Sequence, residues 1–237
     1  MSAIRHTRAF PAIGLALLLT GCAGLPEAYP PPANPFLAGA TPLASTTLAQ
    51  PVKVGLVWLA PASPAVLSQA AQQHLIGKIK ARFATGRPLE IVGATMIAAQ
   101  PGDMLAEVRK ASASFNVNQV LVVMPTGTEV ISPVWLHYGR DGSAIGTRTD
   151  SYVTVSLVGL DLNSGKSLYS VVANGEARLL ATDYEDARPF FPRISPGRTS
   201  AFIYPDRATF PPGEVHAVAL EQAVNGLVYE LNRALGS

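Results

Sequence analysis

Two consecutive runs of alternating residues, SYVTVSLVGLDL at 151–162 and SLYSVVANGEARL at 167–179, limit the fold more than any other feature. In the second run Leu168, Ser170, Val172, Asn174 and Glu176 fall on one face, and Tyr169, Val171, Ala173, Gly175 and Ala177 on the other. A period of two belongs to a strand. Asn163, Ser164 and Gly165 lie between the runs and tolerate positive φ, so the two strands form an antiparallel hairpin. Gly165-Lys166-Ser167 looks like the end of a phosphate-binding loop, but that loop needs a glycine at residue 160, which is Leu160; Gly159 stands one residue early. A strand also follows, where a phosphate site needs a helix N-terminus. A bound nucleotide is therefore not expected.

The stretch before the hairpin alternates strand and helix. VKVGLVWLA (52–60) is an almost unbroken apolar run, as in a strand buried on both faces. Over 64–84, Val66, Leu67, Ala70, Ala71, Leu75, Ile79 and Phe83 recur at helical spacing, with Ser63 as a cap and Gly86 and Pro88 as the stop. LEIVGA (89–94) predicts a short strand, Asp103 opens a helix to about Phe115, and QVLVVMP (119–125) predicts a strand stopped at Pro125. Residues 128–139 predict a further strand interrupted at Pro133, and 139–150 a polar glycine loop. Residues 214–235 predict a long C-terminal helix with Ala217, Leu220, Val224, Leu227, Val228, Leu231 and Leu235 on one face. Gly226 interrupts it, and close packing on a neighbour would explain that glycine. The fold expected is α/β, an α+β sandwich. It has a mixed sheet of about five to six strands, two helices in the first half, the antiparallel hairpin and the long final helix.

The first fifty residues bear on location. Arg5 and Arg8 precede an apolar run over 9–19 that is too short for a bilayer at ~20 residues, the layout of a secretory signal. Leu19-Thr20-Gly21-Cys22 resembles the lipobox of bacterial lipoproteins. That resemblance implies removal of residues 1–21 and a Cys22 carrying diacylglycerol and a further acyl chain such as palmitate. Cys22 is the single cysteine, so disulfides and thiol catalysis are not expected. Several acyl chains anchor a protein stably. By resemblance to enterobacterial lipoproteins, Ala23 in place of aspartate implies export to the outer membrane, with the domain facing the periplasm. The whole chain has 18 Lys+Arg against 16 Asp+Glu. Without Arg5 and Arg8 the counts are 16 and 16, which leaves no basic footprint for nucleic acid. Residues 22–51, with seven prolines, read as a tether of up to ~80 Å when extended at ~3.1 Å per residue. Residues 52–237 read as a single globular domain.

Candidate chemistry is sparse. His74, His137 and His216 have no partner at metal-ligand spacing. Gly142-Ser143-Ala144 lacks the nucleophile elbow, although Asp141, Asp150 and His137 are near Ser143 in sequence. No enzyme and no cofactor is expected. Residues 182–213 combine six prolines and four arginines with Phe190, Phe191, Phe202, Tyr204 and Phe210. So long a loop is usually functional, and arginine with aromatics is the composition of protein interfaces. Phe190, Phe191, Arg193, Arg198, Tyr204 and Arg207 are the expected partner-binding residues. The aromatics covering a sheet edge is the other reading.

The VGLVWLAP strand, the LIGKIKARF helix, LAEVRKASASFNVNQVLVVM and the DSYVTVSLVGLDLNSGKSLYS hairpin resemble rhombotail-type bacterial lipoproteins. More broadly they are similar to the α/β lipoprotein domains of the TolB amino-terminal region, of curli secretion and of cell-wall synthase activators. Residues 124–150 depart from that pattern. The resemblance implies a non-catalytic scaffold or accessory factor that binds an envelope protein. The alternative is a small-ligand or glycan-binding module using the 139–150 loop and Trp135.

Overall fold

The computed structural model describes residues 29–44, 52–61, 69–84, 88–138, 142–181, 200–203 and 213–235. Seven strands among them form one mixed sheet: β1 (Thr41–Pro42), β2 (Val52–Ala60), β3 (Leu89–Ala98), β4 (Gln119–Tyr138), β5 (Gly142–Asp161), β6 (Ser167–Ala181) and β7 (Ser200–Ile203). The spatial order is β1-β6-β5-β4-β2-β3, with β7 also on β6. The helices are α1 (Gln69–Arg82), α2 (Met104–Ser112) and α3 (Gly213–Ala234). The expected α/β class, mixed sheet, hairpin and final helix are all present.

Topology assigns the helices to faces. β2, β3 and β4 are mutually parallel, with β2 in the middle. The chain moves from β2 to β3 through α1, then back past β2 to β4 through α2. Right-handed crossovers in opposite directions put α1 and α2 on opposite faces. Alternation along β2 follows suit: Val54, Leu56 and Trp58 join the core with α1 and α3, while Val57 and Leu59 join Val108 of α2. Trp58 Nε1 donates to Gln72 Oε1 at 2.9 Å, tying α1 to the central strand. On the α2 face Gly55 and Gly93 are register partners. A Cβ on Gly55 would stand 2.5 Å from Phe115 Cδ2, so the paired glycines form a slot for the Phe115 ring. Asp103 caps α2 as expected, its carboxylate accepting from Ala106 N.

α3 lies across β5 and β6 on the α1 face, burying Leu220, Val224, Leu227, Val228, Leu231 and Leu235. The close approach expected at Gly226 is at Gly175 of β6 instead. A Cβ on Gly226 would meet Ala173 Cβ at an ordinary 3.4 Å, whereas one on Gly175 would overlap the α3 backbone at Ala219 O and Ala223 N. The hairpin turn is as expected, with Gly165 at φ +70°. Its missed component is Asp161, whose Oδ1 accepts from Asn163 N (2.8 Å) and Ser164 N (3.2 Å).

Four boundaries differ from expectation. β4 does not stop at Pro125 and is not broken at Pro133; it runs 20 residues through both. β2 pairs with β4 only up to Val123, so beyond that point β4 has, among the described residues, a strand on one side alone, and proline is tolerated on such an edge. Most of the expected 139–150 loop is strand, because β5 begins at Gly142 and pairs with β4 from Tyr138 downward. The expected long loop at 182–213 contains β7, which pairs parallel with Glu176–Leu179 on the outer edge of β6. Finally, residues 29–44 are no free tether: they lie against the sheet.

Candidate functional site

Strand alternation gives the sheet a polar face opposite α3. β4, β5 and β6 are in register there, with Thr126 opposite Thr154, Thr154 opposite Asn174, Tyr152 opposite Glu176, and Asp150 opposite Arg178. Residues 29–36 are strapped along this face. Prolines leave carbonyls without a competing N–H nearby, and the sheet threonines fill them. Thr154 Oγ1 donates to Pro30 O (2.7 Å) and Thr126 Oγ1 to Pro31 O (3.2 Å). Asn34 is buried, donates from Nδ2 to Val122 O (3.0 Å), and accepts from Phe36 N at Oδ1. Ser167 Oγ donates to Phe36 O at 2.7 Å, and β1 extends β6 in parallel. At the other end Tyr29 OH donates to Glu176 Oε2 (3.0 Å), and its ring meets Tyr152 edge-on at 5.5 Å. Burial, then the Glu176 carboxylate, pushes the Tyr29 hydroxyl well above its ordinary pKa, so it stays a donor.

Beside Tyr152 lies an ion cluster. Asp150, only 4% exposed at its side chain, holds Arg178 Nε at Oδ1 (2.5 Å) and Arg148 Nε at Oδ2 (2.9 Å). The Arg178 contact is a hydrogen bond; the Arg148 contact has ion-pair distance without hydrogen-bond alignment. Burial opposes the charge on Arg178, but the bond and charge of Asp150 outweigh it and raise the guanidinium pKa. Burial, then Asp150, raises that of Tyr152. Asp150 offsets one of the two arginine charges, and its neighbours Tyr152 and Glu176 are the groups that meet Tyr29 at the strap's upper end.

The histidines, serine and aspartates weighed as candidates are not brought together, and Asp141 falls outside the described residues. His137 and Ser143 are register partners, but Asp150 pairs with Val130, seven positions further along β4, and is committed to its arginines. His216 Nδ1 and Ser151 Oγ are 3.0 Å apart. Ser151 is fully buried, and burial lowers the imidazole pKa, so the pair is a neutral packing contact over Gly127. His74 is exposed on α1. No group of three metal-ligating side chains occurs among the described residues. Cys22, Phe190, Phe191, Arg193, Arg198, Tyr204 and Arg207 lie outside the described residues; β7 shows only that the chain carrying them returns to the β6 edge. An apolar recess of about 310 Å³, lined by Leu43, Val52, Leu89, Leu168, Tyr169 and Leu235, sits at the amino ends of β2, β3 and β4. Ligands of open α/β sheets usually bind at the carboxyl ends.

Sequence reasoning missed the strap and the ion cluster. The signal was present on β5 and β6: once the hairpin register is fixed, Asp150 falls opposite Arg178 and Tyr152 opposite Glu176. The strap had no comparable signal, since proline-rich segments carry no periodicity.

No family model and no curated protein matches the chain. Among solved structures it is similar to a neuraminyllactose-binding hemagglutinin homolog from Helicobacter pylori, at 10% identity over 88% of this chain and 92% of that one, with a TM-score of 0.41. It is similar to PelC from Paraburkholderia phytofirmans at 17% identity over 58% and 78%, with a TM-score of 0.28. Lipoprotein GNA1162 from Neisseria meningitidis overlaps at 16% identity over 52% and 82%, with a TM-score of 0.23. Likeness at these scores carries no argument about this chain. No described helix is long and apolar enough to cross a membrane.

Proposed function

We propose that this chain is an acylated envelope lipoprotein whose α/β domain is a non-catalytic scaffold, held on the periplasmic side of the outer membrane and binding another envelope protein. The observation that supports it is the strap. Tyr29 is fastened to Glu176 and Tyr152, and Cys22 is only seven residues upstream. Seven residues span at most ~25 Å. An anchor at Cys22 therefore holds the domain close to the bilayer in a restricted orientation, which suits a scaffold better than the long free tether expected from composition. Phe190, Phe191, Arg193, Arg198, Tyr204 and Arg207 remain the proposed partner contacts. No cofactor enters this reading.

Two measurements test it. Radiolabelled palmitate should enter the chain in cells and be lost in Cys22→Ala, which should also leave the membrane fraction; labelling that persists in Cys22→Ala refutes the anchor. Crosslinking in the native host should capture one envelope protein. Phe190→Ala, Phe191→Ala and Arg193→Ala together should abolish that capture. These substitutions spare β7, which a deletion of 188–207 would remove from the β6 edge. Undiminished capture refutes the site.

A further inference from the structure

β3 ends the sheet on one side: it pairs with β2, and no described strand lies beyond it. Its peptide groups can be sorted by direction. Ala99 N donates to Ala60 O at 2.8 Å, and the register of Gly55–Ala60 against Gly93–Ala98 is unbroken. Successive peptide groups of a strand point to opposite sides, so Gly93, Thr95 and Ile97 face β2 while Ala94, Met96 and Ala98 face outward. Val92 is the extra residue of a bulge, since Val54 pairs with Ile91 and Gly55 with Gly93. Before the bulge the outward side is already in use, because Ile91 N donates to Phe83 O at 2.8 Å, just past the end of α1. The free edge is therefore Ala94 to Ala98.

Natural edge strands are blunted by charge, by proline or by a covering element. VGATMIA, from Val92 to Ala98, has neither charge nor proline. Its cover is incomplete as well. Each residue from Val92 to Ile97 keeps solvent contact and Ala98 is exposed, whereas Val54 to Leu59 of the neighbouring β2 are buried. Ala94 and Met96 pack partly on the α1 side of the core, and Ile97 on the α2 side, so a strand added here would extend both clusters. The outward groups are also self-complementary. Two copies laid antiparallel with Met96 opposite Met96 put Ala94 of each opposite Ala98 of the other. Opposed outward residues exchange both their bonds, so this single register uses every free group of both edges, in about six hydrogen bonds. On the α2 face Thr95 then meets Ile97, and no like charges are opposed along the seam.

We infer that the outer edge of β3, from Ala94 to Ala98, is the contact for a second copy of this chain, joined antiparallel about Met96 into one continuous sheet. Such a two-fold axis is normal to the sheet, so the strap faces of both copies look the same way, which suits two anchors in one bilayer. The contact itself does not depend on acylation at Cys22.

The full chain carrying Cys22→Ser and Met96→Cys, purified in mild detergent, holds a single thiol. Opposed outward residues lie ~5.5 Å apart at Cα, within reach of a disulfide. Mild oxidation should join two copies through residue 96 and should leave unjoined a Cys22→Ser, Tyr229→Cys chain, whose thiol sits at an exposed position of α3, a helix packed on β5 and β6. In the unaltered chain, amide exchange at Ala94, Met96 and Ala98 should slow as protein concentration rises. Ala98→Pro removes an outward N–H that β2 does not use, so the monomer should keep its Tm while association weakens roughly tenfold or more, two of about six bonds being lost. Ala98→Lys, at an exposed position, gives the same readout should the proline chain fail to fold. Joining at 96 no faster than at 229 overturns the inference. So does slow exchange of the three amides in dilute, monomeric protein, which would mean that another part of the chain covers the edge. Because Cys22 is replaced, the outcome is independent of acylation in cells.

Discussion

Gly175→Ala tests how α3 is seated. The added Cβ would overlap the carbonyl oxygen of Ala219 and the amide nitrogen of Ala223, and would lie 3.1 Å from Ala223 Cα. These are backbone atoms of a helix, so no rotamer relieves them. The helix must lift by about 1 Å, and a gap of that size forfeits a quarter to a half of each dispersion well. Val215, Leu220, Val224, Leu227 and Leu231, all buried, share the loss. Overpacking of this kind typically costs 1–3 kcal/mol, and a rigid backbone neighbour puts the expectation at about 3 kcal/mol. For a chain of this size that lowers Tm by roughly 6–12 °C. The assay is thermal unfolding followed by circular dichroism, with Gly226→Ala as the control. That Cβ would meet Ala173 at 3.4 Å, an ordinary contact, and alanine gains ~1 kcal/mol over glycine inside a helix. Gly226→Ala should therefore be neutral or slightly stabilising. A Gly175→Ala chain as stable as the wild type would refute the close seating of α3 on β6.

Asn34→Ala leaves Val122 O and Phe36 N without their side-chain partner, and should cost about 1–3 kcal/mol in urea unfolding while raising amide exchange across the strap. Asp150→Asn removes the counter-charge of two arginines; a fully buried pair would cost ~3–5 kcal/mol, but both guanidinia keep solvent contact, so about 2 kcal/mol is expected from the same measurement. Burial depresses the pKa of His216 in the folded state, so its contribution is fully present above the unfolded value of ~6.5 and is lost as pH falls through the folded value. Tm should fall on acidification over that window, and the slope should flatten in His216→Gln. Burial pushes the Tyr169 hydroxyl up to about 12, so its contribution holds below ~10 and disappears as pH rises through about 12; Tyr169→Phe should unfold later in an alkaline titration.

The parts of the fold that were legible in sequence are those with a period. The alternating runs gave β5, β6 and their turn, and helical spacing gave the buried face of α3 almost residue by residue. Proline misled twice in β4, because its local meaning depends on whether a neighbouring strand needs the missing N–H. That is a property of sheet order, not of residues 119–138. The error at 139–150 has the same origin: glycine and charge were read as a loop where a partner strand 20 residues long imposes extension. The strap was illegible for a different reason. Its proline carbonyls accept from threonine hydroxyls more than 90 residues away, and no local pattern encodes an acceptor. Of the candidate site, the proposed partner residues fall outside what the structure describes, whereas the Asp150 cluster was readable from the hairpin register alone.

The strap also orders events in time. Tyr29 is 147 residues ahead of Glu176, its hydrogen-bond acceptor, and the Tyr152 ring it abuts belongs to the same late part of the chain. As the chain emerges from its N-terminus, nothing exists for residues 29–36 to dock on until the hairpin is complete. Such a long closure is entropically slow relative to forming the hairpin itself. Residues 29–36 are thus taken in only when the sheet is whole, and on the proposed reading of Cys22 that order would leave time for an acylating enzyme to reach it. Docking of the strap is therefore conditional on β5 and β6: if Cys22 is the anchor, as proposed, a domain without them would hang on a longer leash than one that has built them.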